Sequence, residues 1–462
     1  MALALAGFAF TSCDDEVTID KIDEADYANI TSNFGTLRDY NTGKVSTLVE
    51  MRDTSYETKV AFNLARAPKQ GVDVVVSIDE AYLSEYNAEH GTSFKLYPTD
   101  RVSIQNSGKI LVAPDEKVSY ALDVVFAPAD TTELEADATY VVPLKATASD
   151  GVAISEQEDH CIYLLKNLSY VGTADKGPDA KKVFAYFEVN DTNPLNVLLW
   201  EMEDGKLAID FLVLFAANIN YDREKGEVYV YNNENVQYCL DHYDEILLPL
   251  KKRGVKIILG LLGNHDESGL AQLSDIGAKD FAKKIADICY SYNLDGVNFD
   301  DEYSNSPDLS NPLFTSRSTE AGSRLMFETK KAMPDKYVTT FQYGCMGGSD
   351  YVDGIPAGEW LDIAVANYGG SGRPLQGMTR ANCSYTSVEF ARGGSISVDA
   401  AQRAAASDYG YFMIFAPWAA NNEGSRSHYN NISNLCEGLY GVPLKAYPGG
   451  YYKKNSTEFV SK

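Results

Sequence analysis

The sequence predicts an α/β protein in which an all-β sandwich domain precedes a (β/α)8 TIM barrel. Two patterns lead to this expectation: short alternating strands follow one another over residues 43–170, and from residue 171 onward apolar strand-like runs alternate with helical stretches. The chain of 462 residues is also long enough for two domains, one of them a barrel of roughly 250 residues.

The β-sandwich domain is predicted over 43–170 because apolar residues recur there at every second position. Strands with one buried face show this alternation, and their close spacing is typical of a sandwich. Residues 14–42 are acidic and without periodicity, which predicts a tether. The strand-like runs are KVAFNLA (59–65), VDVVVSI (72–78), KILVAP (109–114), SYALDVVFA (119–127) and TYVVPLKA (139–146).

The barrel is predicted over 171–462 from eight apolar runs separated by helical patterns. Strands that alternate with helices form parallel sheets, and a closed parallel barrel carries its active site at the C-terminal ends of its strands. An open doubly wound sheet is the alternative, but no GxGxxG or Walker sequence follows any of the runs. The runs are VFAYFEVN (183–190), IDFLVLFAAN (209–218), VKIILGLLG (255–263), LDGVNFDDE (294–302), YVTTFQYG (337–344), LDIAVANYG (361–369), TSVEFA (386–391) and YGYFMIFAPW (409–418).

The overall charge excludes some classes of partner. Forty basic and 66 acidic residues give a net charge of −26, which repels phosphate backbones and anionic lipid headgroups. We therefore expect no nucleic-acid partner and a neutral substrate. The seven cysteines contain no close CxxC pair, so neither a structural zinc site nor a redox pair is predicted.

The N-terminus carries a short apolar run that ends in small residues before Cys13. This run resembles the lipobox of a bacterial lipoprotein, and about ten apolar residues are too few to span a bilayer. We expect residues 1–13 to be the remnant of a lipoprotein signal, with Cys13 lipidated and membrane contact only through that anchor. The following CDDE resembles a surface-export signal, which implies a location at the outer membrane or cell surface of a Gram-negative bacterium.

Three polar residues alternate at the end of the fourth barrel run, in LDGVNFDDEYS. Side chains two residues apart on a strand project to the same face, so Asn298, Asp300 and Glu302 form one row. Two carboxyl residues whose Cα atoms are about 6 to 7 Å apart in a partly dry site cannot both ionise cheaply, so one pKa is expected to rise. Glu302 is outermost and is predicted to be the general acid. The alternative is an exposed acidic turn in an acidic protein.

The motif DGVNFDDE resembles the DGxDxDxE signature of glycoside hydrolase family 18, and LDGVNFDDEYS resembles its endoglycosidase H-like branch. The resemblance covers most of 183–440. It implies an endo-β-N-acetylglucosaminidase that hydrolyses the GlcNAc-β-1,4-GlcNAc core of N-linked glycans, of high-mannose type, and leaves one GlcNAc on Asn. Further segments that agree in order are AYFEVND (185–191), LFAANINYD (214–222), NNENVQ (232–237), LLGNHDESG (261–269) and AMPDKYVTT (332–340).

The resemblance also implies residue roles. Glu302 matches the family's general acid/base, and Asp300 matches the carboxylate that orients the substrate N-acetyl group and stabilises the oxazolinium intermediate. Catalysis is then substrate-assisted and retaining, without a protein nucleophile, a metal or a cofactor. Asn298, which we assign to substrate binding, departs from the first Asp of the signature. Its amide can hydrogen-bond Asp300 but cannot exchange a proton with it.

Tyrosine and amide side chains at two other predicted strand ends are candidates for substrate binding. A Tyr hydroxyl suits the N-acetyl carbonyl as positive charge develops, and Tyr343 and Tyr368 are both placed for this role. We favour Tyr343 as the catalytic tyrosine, together with Gln342. Asn367 and Tyr368 are assigned to substrate binding at the end of the sixth strand.

Trp418 and His265 complete the predicted site. Trp418 ends the eighth run and resembles the family's aromatic floor under the sugar, although a core tryptophan is the alternative. His265 follows the third run and is expected to line the cleft, since its neighbours give no metal-ligand spacing. A chitinase and a catalytically silent glycan-binding lipoprotein remain as other functions. Three tryptophans are few for a long chitin groove, and the intact Glu302 argues against a silent protein.

Overall fold

The computed structural model describes residues 33–52, 54–129, 133–135, 138–149, 152–154, 159–168, 174–418 and 423–462. They form a β-sandwich followed by a barrel of parallel strands, so the predicted fold class is confirmed. Cys13 and most of the predicted tether lie outside the described residues. Within these ranges, no helix has both the length and the apolar composition needed to cross a membrane.

The sandwich strands belong to two mainly antiparallel sheets. One helix, α1 (Tyr82–His90), lies between the fourth and fifth strands. The strands are β1 (Asn33–Asp39), β2 (Ser46–Met51), β3 (Tyr56–Leu64), β4 (Val72–Ile78), β5 (Lys95–Leu96), β6 (Val102–Ile104), β7 (Lys109–Val112), β8 (Leu122–Phe126), β9 (Thr139–Ala148), β10 (Val152–Ile154) and β11 (His160–Asn167). The first sheet has the order β10-β1-β3-β8-β6, and the second has the order β2-β11-β9-β4-β7, with β5 beside β9.

The sandwich core lies between these two sheets. It is built from the buried side of each alternating strand, such as Val74 and Val76 of β4 and Val124 of β8. Leu37 of β1 is fully buried in the same core. The tether predicted for 14–42 is therefore wrong at its end, because a single buried leucine in a polar stretch leaves no periodicity to detect.

The barrel strands run parallel around one closed sheet. In chain order they pair with their neighbours, and the eighth strand pairs with the first. A parallel bridge between Ala364 and Cys383 closes the remaining gap between the sixth and seventh strands. The strands are β12 (Lys182–Glu188), β13 (Phe211–Asp222), β15 (Lys256–Leu262), β16 (Gly296–Phe299), β17 (Tyr337–Gln342), β20 (Ile363–Ala366), β21 (Ser384–Glu389) and β22 (Tyr411–Phe415). Each coincides with one predicted run.

The connections between barrel strands are less regular than an ideal (β/α)8 alternation. The helices are α2 (Glu234–Asp241), α3 (Tyr243–Ile246), α4 (Leu248–Lys252), α5 (Asp275–Ser291), α6 (Thr319–Ala332), α7 (Val398–Ala405) and α8 (Arg426–Tyr440). The connections after β12, β17 and β20 contain 3-10 turns and no α-helix. Short hairpin strands add β14 (Glu227–Tyr231), β18 (Tyr351–Val352), β19 (Ile355–Pro356), β23 (Gly450–Tyr452) and β24 (Phe459–Ser461).

Two apolar layers flank the barrel sheet. Residues such as Val297 and Phe299 face outward and pack with the surrounding helices. Inward-facing residues such as Phe184, Phe341 and Met413 fill the barrel interior, so the barrel is a packed core and not a pore. The open end lies at the C-terminal ends of the strands.

The sandwich docks against the opposite, N-terminal end of the barrel. Lys166 of β11 ion-pairs with Asp295, directly before β16, at 2.9 Å, and both side chains are buried. Glu50 of β2 pairs with Lys256 at 2.9 Å and accepts a hydrogen bond from the Tyr337 hydroxyl at 2.9 Å. The sandwich therefore contacts the start of strands three to five and leaves the barrel mouth open.

Candidate active site

Asn298 and Asp300, two members of the row predicted on the fourth strand, point into the barrel mouth, and Glu302 follows at its rim. Asn298 and Asp300 are buried on the inner side, whereas Val297 and Phe299 belong to the outer core. Asp301 also faces outward, where Arg317 pairs with its carboxylate at 2.7 Å. Alternation along β16 thus separates two neighbouring aspartates into an inner one and a neutralised outer one.

Asn298 does not bind Asp300, contrary to expectation. Its side-chain oxygen accepts a hydrogen bond from the Tyr186 hydroxyl at 3.0 Å, and its amide nitrogen donates to Thr339 Oγ1 at 2.9 Å. The amide is thereby held by the first and fifth strands. The difference arises because barrel closure supplies these partners from positions more than 40 residues away in sequence.

Asp300 is the most perturbed acid at the mouth. It is 6% exposed, and its Oδ1 atom is buried without a hydrogen-bond partner. Burial first, and then the nearby Glu302 and Asp301 charges, raise the pKa of Asp300 to about 8. The expected rise in one carboxyl pKa is therefore present, but on the inner acid. Glu302 is partly exposed at the rim.

Replacing Asp300 by Asn is expected to stabilise the fold at alkaline pH. A folded pKa of about 8, raised from 3.8, means that the fold prefers the neutral acid. The contribution of the neutral Asp300 to the free energy of unfolding is then full below about pH 4 and is lost as the pH rises through about 8. Because Asn mimics the neutral form at every pH, the variant should gain on the order of a few kcal/mol at pH 8 and nothing near pH 4.

Thermal unfolding between about pH 4 and pH 8 measures this difference. Asp287→Asn, on the exposed surface of α5, is the matched control and should keep the wild-type profile. Parallel Tm profiles for wild type and Asp300→Asn would contradict a strongly raised pKa at Asp300.

At the fifth and sixth strands the structure favours Tyr368 over Tyr343. The Tyr368 ring lies 5.7 Å from Phe341 and 6.0 Å from Phe415, inside the mouth. Burial, then the charges of Glu389, Asp300 and Glu302, raise the pKa of Tyr368 far above its usual range. Tyr343 and Tyr368 are similarly exposed, at 42% and 38%, and Tyr343 also contacts the ring of Phe341, at 6.1 Å, so the difference between them is the interaction of Tyr368 with the carboxylates. Tyr368 is thus the tyrosine that the structure brings to the carboxylates.

The side chains of Gln342 and Asn367 both hydrogen-bond to nearby backbone groups. Gln342 donates to the Arg373 carbonyl at 2.9 Å and accepts from the Arg373 backbone N–H at 2.7 Å. The Asn367 side-chain oxygen accepts from the Tyr368 backbone N–H at 2.7 Å. Together with Tyr368 these residues line a pocket of 310 Å³ beside the mouth. Gln342 therefore anchors the loop that contains Arg373, and substrate binding by Gln342 and Asn367 stays a prediction.

The structure agrees with the predicted position of His265 but not with that of Trp418. His265 is exposed, and its ring lies 5.5 Å from Tyr303, the residue after Glu302, so it does lie near the rim. Trp418 is fully buried, packs 5.1 Å from Trp200, and donates its indole N–H to the Ser425 carbonyl at 3.0 Å. The prediction that Trp418 forms the sugar floor is therefore wrong, because the chain turns after β22 and directs this ring outward toward α8.

Another group of rings, which was not predicted from the sequence, lies at the base of the mouth. We call it the aromatic floor: neighbouring ring centroids are 5.4 to 6.2 Å apart at the base of the mouth. Such rings pack edge to face or offset. Tyr368 and Phe415 are the members exposed enough to present apolar surface to a ligand, since the other three are buried. Its members are Tyr186, Phe215, Phe341, Tyr368 and Phe415.

Glu188 and Glu389 were also missed. Glu188 ends β12, two residues after inward-facing Tyr186, and Glu389 ends β21. Burial, then Asp191 and Glu389, raise the pKa of Glu188 to about 7. Both glutamates lie near the C-terminal ends of predicted strand runs, and this position was the available signal.

The mouth can therefore perform acid–base chemistry on a neutral, partly apolar ligand. It combines a partly exposed acid, Glu302, with a buried and neutral one, Asp300, above an aromatic floor. Among the residues that the structure describes, no group of three or more His, Cys, Asp or Glu side chains could hold a metal ion.

Comparison with known proteins places both parts of the chain. A family model described as an N-terminal domain matches residues 26–153. Over 279 residues, 59% of this chain and 82% of the relative, the chain is 40% identical to endo-beta-N-acetylglucosaminidase F1 of Elizabethkingia meningoseptica. It is 32% identical over 262 residues to the endo-beta-N-acetylglucosaminidase of Flavobacterium sp. (strain SK1022), covering 56% of this chain and 80% of that one.

Two crystal structures of EndoBT-3987 from Bacteroides thetaiotamicron are similar over nearly the whole chain. The structure with Man5GlcNAc product has a TM-score of 0.86 and 47% identity, and covers 92% of this chain and 99% of its own. The complex with Man9GlcNAc2Asn substrate has a TM-score of 0.80 and 45% identity, and covers 92% and 98%. This similarity extends beyond the barrel into the sandwich.

Proposed function

This chain belongs to the endo-β-N-acetylglucosaminidases of glycoside hydrolase family 18, and we propose that it cleaves high-mannose N-glycans by substrate-assisted catalysis with Glu302 as the acid/base. The bond cleaved is the GlcNAc-β-1,4-GlcNAc linkage of the core, so that one GlcNAc stays on Asn. The observation that carries the proposal is the row on β16, with a partly exposed acid beside a buried and unpaired one.

In the first step, Glu302 donates its proton to the glycosidic oxygen while the substrate's own N-acetyl carbonyl oxygen attacks the anomeric carbon. The C–O bond to the leaving GlcNAc breaks, and a cyclic oxazolinium forms. In the second step the Glu302 carboxylate takes a proton from water, which adds to the same carbon and reopens the ring. Two inversions give net retention without a protein nucleophile.

Asp300 is suited to hold the N-acetyl group in the position for this attack. Its unpaired Oδ1 can accept a hydrogen bond from the acetamido N–H, which would satisfy an otherwise costly buried acceptor. Tyr368, beside the same carboxylates, is positioned to donate its hydroxyl proton to the N-acetyl carbonyl. Asn298, bound to Tyr186 and Thr339, keeps the strand in register and leaves Asp300 free for the substrate.

High-mannose glycans fit the charge of the protein. They carry no formal charge, and a net charge of −26 would repel sialylated antennae. The two EndoBT-3987 structures, one with Man5GlcNAc product and one with Man9GlcNAc2Asn substrate, support this substrate class.

Intact-mass spectrometry of a glycoprotein with one high-mannose N-glycan tests the proposed reaction. Incubation with the wild-type protein should leave a species that retains a single GlcNAc on Asn. The same glycoprotein already trimmed to one GlcNAc is the control and should not change in mass. An unchanged high-mannose glycoprotein, together with hydrolysis of chitin oligomers, would instead indicate a chitinase.

We also propose that the protein is a lipoprotein anchored through Cys13 at the outer membrane or cell surface of a Gram-negative bacterium. The apolar run before Cys13 and the acidic CDDE after it support this proposal. Labelled palmitate should enter the wild-type protein in the membrane fraction, and Cys13→Ala should abolish the label. Unlabelled wild-type protein in the soluble fraction would contradict the anchor.

A further inference from the structure

Across the barrel mouth from the catalytic strand lies a second pair of carboxylates, Glu188 and Glu389. Strand register shows how they are arranged: Phe415 of β22 pairs with Tyr186 on one side and with Glu389 on the other. Glu188 follows two residues after Tyr186 on the same inner face. The two glutamates therefore flank the strand of Phe415, on backbones about 10 Å apart across two strand spacings.

Between them, Phe415 provides an apolar face. Its ring lies 5.4 Å from Phe215, 5.9 Å from Tyr186 and 6.0 Å from Tyr368, so it belongs to the aromatic floor. A sugar ring packs one apolar C–H face on such a surface, while its hydroxyl groups project sideways to hydrogen-bond acceptors. A carboxylate accepts two or more such bonds, and bonds to a charged acceptor are the strong ones.

The contacts of the two glutamates leave them available to a ligand. Glu389 is 14% exposed and pairs at 3.2 Å with Arg392, whose side chain is 83% exposed. Glu188 is partly exposed, and burial raises its pKa to about 7, ahead of the charges of Asp191 and Glu389. An independent sign of a ligand in this mouth is Asp300, 6% exposed with an unpaired Oδ1.

We propose that Glu188 and Glu389 bind hydroxyl groups of the glycan that occupies the barrel mouth, and so position it over Phe415 for cleavage at Glu302. This inference rests on the proposed function and adds two substrate-binding residues to it. Their place on strands one and seven, opposite strand four, lets the pair hold the sugar from the side that the catalytic carboxylates do not reach.

Calorimetric titration with Man5GlcNAc, combined with steady-state kinetics on a high-mannose glycoprotein, tests the proposal. Glu188→Gln and Glu389→Gln keep the size of the side chain and, at about pH 8, above the pKa of Glu188, remove its charge. Each should weaken Man5GlcNAc binding at least about tenfold and raise KM by a similar factor, with a smaller change in kcat. Glu245→Gln, on the exposed surface of α3, is the matched control and should bind and turn over as wild type.

Dissociation constants within about twofold of wild type for both variants would overturn the proposal. A wild-type protein that cleaves the glycoprotein while the variants bind normally refutes only this pair, whereas a wild-type protein that neither cleaves nor binds refutes the proposed function itself. If Glu188→Gln fails to reach the wild-type Tm, Glu389→Gln decides alone, because its ion pair with exposed Arg392 contributes little to stability.

Discussion

Replacing Glu302 by Gln is expected to lower kcat on a high-mannose glycoprotein by about 10²- to 10⁴-fold. Gln keeps the size and hydrogen-bonding capacity of the side chain but has no proton to give to the leaving oxygen at neutral pH. Binding of the Man5GlcNAc product should stay close to wild type, since the aromatic floor and the other carboxylates are unchanged. The loss should therefore fall on kcat and not on KM.

Released oligosaccharide measured over time gives kcat, and calorimetry with Man5GlcNAc gives the affinity. Glu245→Gln serves again as the matched control, because it makes the same chemical change on an exposed helix. Undiminished turnover by Glu302→Gln would remove Glu302 from the role of acid. Loss of both turnover and binding, with a lowered Tm, would show instead that the variant disturbs the strand.

Replacing Lys166 by Met is expected to reduce the stability of the protein by about 3 kcal/mol, because it leaves Asp295 with one cation fewer in a dry interface. Lys166 and Asp295 are 4% and 2% exposed, and their ion pair measures 2.9 Å. Burial alone would raise the pKa of Asp295, but the charges of Lys166, Lys251 and Lys256 hold it well below its usual range. Lys251, whose Nζ lies 3.4 Å from the Asp295 carboxylate, reduces the loss of stability but does not replace the ion pair with Lys166.

Thermal and denaturant unfolding measure this effect, with Lys69→Met as the control. Lys69 pairs with Asp115 at 2.8 Å, but the two side chains are 90% and 72% exposed, so its removal should cost less than about 1 kcal/mol. Equal Tm values for the two variants would show that the sandwich does not stabilise the barrel through Asp295. A large loss for Lys166→Met would show that the N-terminal domain supports the catalytic strand, which starts at the next residue.

Much of the fold could be predicted because the relevant signals are local. Apolar residues at every second position indicated the buried strands, and the appearance of helical spacing between such runs indicated the start of the barrel. The same period placed Asn298 and Asp300 on one face and Asp301 on the other, as the structure shows. The first strand was not predicted because Leu37 is the only apolar side chain among its buried residues, Gly35, Leu37 and Asp39. The connections after β12, β17 and β20 contain no α-helix, so the sequence has no helical spacing there.

The sequence by itself determined the order of the elements, the two-domain α/β class and the row of carboxylates on the fourth strand. Only the tertiary structure decided which residues from distant strands meet at the mouth. In the folded chain, Asn298 hydrogen-bonds Tyr186 and Thr339. Trp418 packs in the core. Glu188 and Glu389 lie across the mouth from Asp300. The physical reason is that alternation is set by each strand's own backbone, whereas these contacts arise when the eighth strand pairs with the first and closes the barrel.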